Sequence, residues 1–100
     1  VSLANIYLEL HRRAWETGQD RAQTLGKGAR IAVRVQDGIT TLTISRSKKP
    51  LGATEIETFK RDCGVPWDAV RFPQEGQGTI EREGMPWRYI AWRWREETAE

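Results

Sequence analysis

Apolar residues near the start of the chain recur at helical spacing. Leu3, Ile6, Tyr7, Leu10 and Ala14 lie three and four residues apart, which gathers them on one side of an α-helix. Ser2 supplies a side-chain oxygen for the first free amides. Leu8, Trp15, Ala22 and Leu25 continue a second stripe, so the helix is expected to run to about Leu25. Gly26-Lys27-Gly28 then ends it, with Gly18 the point at which an earlier break would fall, since an interior glycine costs about 1 kcal/mol relative to alanine.

The period then changes from helical to alternating. In RIAVRVQDGITTLTIS, residues 30–45, Asp37-Gly38 provides the positive backbone angles of a two-residue hairpin turn between β-rich runs. With those two residues at the turn, Val35 faces Thr40, Val33 faces Leu42 and Ile31 faces Ile44, all on one face. Ala32, Arg34, Gln36, Ile39, Thr41, Thr43 and Ser45 fall on the other, which predicts a hairpin with one dry and one wet side. A basic loop, SRSKKPLG, leads to a second helix in which Thr54 and Glu57 have the spacing of a capping box, Ile56, Phe59 and Cys63 share a face, and Gly64 and Pro66 stop the helix. Three further strands are expected: Ala69 to Phe72, about Gly78 to Glu83, and Trp87 to Arg95, with PQEGQG and EGMP as turns and EETAE as a frayed tail.

This order predicts an α+β fold over residues 1–100 as one small domain. Its mainly antiparallel sheet of four to five strands would carry two helices on one face, in the order α-β-β-α-β-β-β. A chain of 100 residues, 38% hydrophobic and 30% charged, has the composition of a soluble globular domain. Cys63 is the single cysteine and has no partner for an intramolecular disulfide, and no long apolar run or leader is visible, so a cytoplasmic location without membrane contact is expected. The chain opens on Val1 rather than methionine, which leaves room for a longer parent chain.

Charge alters the picture through its distribution. The net charge is only +2, but residues 1–50 carry +5 and residues 51–100 carry −3, and arginine outnumbers lysine twelve to four. Guanidinium groups favour planar contacts with phosphates, carboxylates and aromatic rings.

The segment PWRYIAWRWR, residues 86–95, then becomes the candidate site. As a strand it alternates, with Trp87, Tyr89, Ala91, Arg93 and Arg95 on one side and Arg88, Ile90, Trp92 and Trp94 on the other. In one reading Ile90, Trp92 and Trp94 pack beneath the helices while Trp87 and Tyr89 cover part of the opposite face. In the other, Trp87, Tyr89, Arg93 and Arg95 form a wet platform beside Arg34 of the hairpin and Arg46, Lys48 and Lys49 of the basic loop. Bases would stack on its rings and phosphates would meet its arginines.

The expected function is therefore a binding module for nucleic acid, preferentially single-stranded, without a cofactor. The alternative is a protein-interaction or homodimerisation domain using the same surface, because Trp, Tyr and Arg are also enriched at protein hot spots. A small hydrolase or nuclease comes third, resting on Glu81 and Glu83 as carboxylates on one side of a strand.

Other chemistry is sparse. Cys63 lies at a predicted helix C-terminus beside Asp62, where a thiolate is disfavoured, and reads as a structural thiol. His11 is the one histidine, which excludes a histidine-rich metal site, and it reads as a helix-surface residue. GKG and GQG are too short for phosphate loops, and SRSKKPLGAT reads as a solvated basic loop rather than an anion site.

Overall fold

The computed structural model describes residues 3–25, 28–47 and 49–96. Ser2, the Gly26-Lys27 pair, Lys48 and the tail beyond Glu96 lie outside the described residues. Helix α1 (Leu3–Thr17) buries Tyr7, Leu10 and Ala14, the stripe set by its apolar spacing. It ends at Gly18, whose φ of 70° is left-handed and whose N–H bonds the Ala14 carbonyl at 2.8 Å.

The expected continuation of this helix to Leu25 is overturned. Arg21–Leu25 form strand β1, paired antiparallel with β2 (Ala29–Gln36). The second stripe does not form one buried face: Leu8 is 61% and Trp15 48% exposed, and Ala22 and Leu25 point to opposite sides of the strand, only Leu25 packing against the core. The backbone amides and carbonyls along the outer side of β2 need partners, and β1 supplies them.

Strand β3 (Ile39–Ser47) follows the Asp37-Gly38 turn, whose residues have φ of 56° and 77°. The pairs Val35↔Thr40, Val33↔Leu42 and Ile31↔Ile44 form as the alternation requires. Helix α2 (Ala53–Asp62) starts earlier than its expected cap. Gly52 is the N-cap residue, and Glu55 rather than Glu57 accepts its N–H, at 3.0 Å. At the other end Gly64 N–H bonds Arg61 C=O at 3.1 Å and Val65 N–H bonds Lys60 C=O at 3.0 Å, the paired bonds of a Schellman motif.

The remaining strands are β4 (Val70–Phe72), β5 (Gly78–Arg82) and β6 (Met85–Arg95). Six strands, one more than the largest number expected, make a sheet in the order β1-β2-β3-β6-β4, with β5 also paired to β6. Both β4 and β5 run along the same side of β6, so this edge is one strand interrupted by residues 73–77. Gln77 ties the interruption to the chain before α2: its amide oxygen accepts Leu51 N–H at 2.9 Å and its Nε2 donates to Leu51 C=O at 2.7 Å. β5 ends at Arg82, and Glu83 (φ 54°) and Gly84 (φ 78°) form a second hairpin turn.

Both helices lie on one face of the sheet. Between them and the strands are Ile31, Leu42 and Ile90, fully buried, with Val33, Ile44, Trp92 and Trp94 around them. The tail was expected to fray from Glu96, yet Glu96 N–H bonds Gly38 C=O at 2.8 Å and fixes the end of β6 to the first hairpin turn. Among the described residues, no helix is long and apolar enough to cross a membrane.

Candidate functional site

Directly opposed residues of an antiparallel ladder share a face, so the registers define what the helix-free side of the sheet displays. One row runs Thr24, Arg30, Ser45, Tyr89 and Gly78; the next runs Ala22, Ala32, Thr43, Ala91 and Phe72; a third runs Arg34, Thr41, Arg93 and Val70. Arg95 lies beyond the third row opposite Ile39, and Trp87 and Ile80 lie beyond the first. Arg82, two residues along from Ile80, points the same way. Among the described residues this face thus gathers five arginines (Arg30, Arg34, Arg82, Arg93, Arg95) and three large rings (Phe72, Trp87, Tyr89), and no described strand residue pointing to it is an aspartate or glutamate.

The expected site residues divide between this face and other places. Trp87 is half-buried, with the Arg82 guanidinium carbon 5.4 Å from its ring centre. Tyr89 is half-buried with its ring lying across Gly78, where a Cβ would collide with the ring carbons. Arg93 is exposed and its guanidinium carbon lies 5.1 Å from the centre of the Phe72 ring. Arg95 is exposed at the strand end near Gly38. Arg34 is exposed but forked onto Asp20, with bonds of 2.7 and 3.0 Å, and the hydrogen bond and charge of that carboxylate hold its guanidinium above its ordinary pKa.

Arg46 is not part of this surface. It was expected in an exposed loop; instead it belongs to β3, points to the helix side, is 7% exposed, and donates to Glu55 at 2.6 Å. Its alternation explains why: Thr40, Leu42, Ile44 and Arg46 are consecutive inward positions of one strand. Lys49 is exposed in the loop after β3, and Lys48 lies outside the described residues.

Arg30, Phe72 and Arg82 were missed by the sequence reading. Arg30 was within reach, since it precedes Ala32 and Arg34 in the same alternation. Phe72 and Arg82 join the face only because β4 and β5 share one edge of β6, an arrangement of distant segments without a local sequence signal.

A second concavity, about 470 Å³, lies on the helix side and is lined by Tyr7, Leu8, His11, Cys63, Trp94 and Glu96 among others. His11 is here half-buried, not on the helix surface as expected. Glu96 Oε1 accepts from the Trp94 indole N–H at 3.1 Å and the Thr40 hydroxyl at 2.9 Å, and lies 3.0 Å from His11 Nε2. The His11 ring is flanked along α1 by Tyr7 and Trp15, with centres 5.7 and 6.1 Å away.

The pKa values of the nearby thiol and phenol are both raised by burial. Burial, helped by the Asp62 charge, pushes the Cys63 thiol up to about 12. Burial likewise carries the Tyr7 phenol well above its ordinary range, with the Glu96 and Cys63 charges adding to it. The cleft therefore anchors the end of β6 to α1 and holds no thiolate near neutral pH.

Glu81 and Glu83 do not form the carboxylate pair expected of them, because Glu81 sits within β5 and Glu83 is in the turn. Among the described residues, no group of three or more His, Cys, Asp or Glu side chains is placed to hold a metal ion. Comparison with protein-family models, curated proteins and solved structures finds no match to this chain.

Proposed function

We propose that this protein is a binding module whose helix-free sheet face takes single-stranded nucleic acid. The observation that carries this reading is the content of that face: three rings and five arginines, of which Arg34 is paired with Asp20 and the other four have no carboxylate partner from any described strand. Base stacking on an aromatic ring contributes about 1–3 kcal/mol per base. A net charge of +2 gives little long-range attraction, so affinity has to come from local contacts on this face. A duplex keeps its base planes enclosed and offers the rings little, which is why an open strand is favoured.

The test is tryptophan fluorescence during titration with a short single-stranded oligonucleotide at several salt concentrations, with duplex as comparison. Saturable quenching that is lost in Trp87→Phe is expected. If Arg30, Arg93 and Arg95 each meet one phosphate, log K falls with log salt at a slope of about −2. An unchanged spectrum at low salt would remove the reading.

One observation favours a second reading, homodimerisation through a sheet edge. β1 ends the strand order and pairs only with β2, leaving its outer backbone groups without a strand partner among the described residues. A sedimentation mass that stays monomeric as concentration rises would exclude it.

A further inference from the structure

We infer that bases seat at two separate positions on this face, on Trp87 and on Phe72, each by displacing the guanidinium that lies over the ring in the free protein. The inference rests on the nucleic-acid reading above and adds the site's internal layout. Arg82 over Trp87 and Arg93 over Phe72, at 5.4 and 5.1 Å, are built alike. Trp87 is opposed by Ile80 and Phe72 by Ala91, and in each case the arginine lies two residues along from the opposing position. Both are diagonal cross-strand pairs between β6 and its interrupted edge.

A guanidinium is planar and stacks on a ring as a base does, so each arginine occupies the place a base would take. Such a cation shifts an equilibrium only about two- to fivefold on an exposed ring such as Phe72, and by up to about 30-fold on a desolvated one, with half-buried Trp87 between the two. A stacked base shifts it about 5- to 150-fold, so the base wins the ring. The freed arginine then gains a phosphate or the outer plane of the base.

The rings are set apart by four residues along β6 and one strand across, roughly 14 Å at strand spacings. That is about four times the 3.4 Å step of stacked bases, so neighbouring stacked bases cannot use both rings. The two positions take non-adjacent bases of an unstacked strand. The expected site size is about four nucleotides, the lower end for small single-strand-binding domains.

Anisotropy titration of labelled oligothymidylates of increasing length separates the outcomes, using the wild type, Trp87→Leu and Phe72→Leu. Leucine removes the ring but keeps part of the apolar side chain at both positions, and a circular-dichroism melt checks that each variant is folded. Each variant is expected to lose about 5- to 150-fold in affinity for the tetranucleotide and longer, with the wild-type gain in affinity levelling off near four nucleotides. Wild-type binding accompanied by an unaltered affinity in folded Phe72→Leu would overturn the two-position layout and leave the face reading standing. Absence of wild-type binding at every length in low salt would overturn the face reading and the layout with it; concentration-dependent self-association in the same samples would then assign the surface to protein contact.

Discussion

Four arginines of the sheet occupy three different environments, and the residue type alone does not distinguish them. Arg34 is an exposed fork on Asp20, Arg82 and Arg93 lie over rings, and Arg46 is buried against Glu55. What separates them is parity along a strand. Extending the hairpin alternation by one residue in each direction places Arg46 inward and Arg30 outward, so both were legible in the sequence once the strand ends were known. Strand ends are the least legible feature, because the basic residues after Ser45 resemble a loop. Replacing Arg46 with alanine should destabilise the fold by about 1–3 kcal/mol, below the full cost of breaking a buried pair because Glu55 is 40% exposed. Urea unfolding would measure this, and oligonucleotide affinity of the folded fraction should be unchanged. An affinity loss without a stability loss would return Arg46 to the proposed binding surface.

At the scale of elements, legibility followed local chemistry. The first hairpin carries its turn, its alternation and its register within sixteen residues, and its observed register matches the expected pairs. β1 carried no such signal: Arg21–Leu25 has neither a turn signature of its own nor a clean alternation, and it is a strand because β2 has an edge to fill. Gly78 shows the same dependence on a distant segment. Its lack of a side chain makes room for the Tyr89 ring, which covers the exposed strand backbone. Gly78→Ala should therefore cost about 1–3 kcal/mol, the range for overpacking, and the cost should shrink in a Tyr89→Ala background where the collision is absent. Equal costs in both backgrounds, read from denaturant melts, would mean that the ring does not set the glycine requirement.

For the whole molecule, the order of strands decided what the sequence left open. Placing β6 between β3 and the β4/β5 edge makes it central, so Trp92 and Trp94 enter the core while Trp87 and Tyr89 remain on the helix-free face. The core also sets how the fold responds to alkali. Cys63 has an ordinary value of 9.0 and is raised to about 12 in the folded chain, so its contribution is fully present below 9.0 and is lost as pH rises toward 12. Between these limits stability should fall by about 1.4 kcal/mol per pH unit from this group alone, with Tyr7 adding to the slope above its ordinary value of 10.0. In Cys63→Ala the decline should begin only near 10.0, where the Tyr7 phenol of the unfolded chain ionises while that of the folded chain stays protonated; an unchanged onset would assign the loss elsewhere. The interruption at residues 73–77 has a different kind of consequence. A sheet grows by adding strands to an unbroken border, and here one border is cut into pieces of three and five residues. Among the described residues only β1 offers a continuous border, so if two copies were to join there, each would use up its growth point and the proposed assembly would stop at a closed pair instead of extending into a filament.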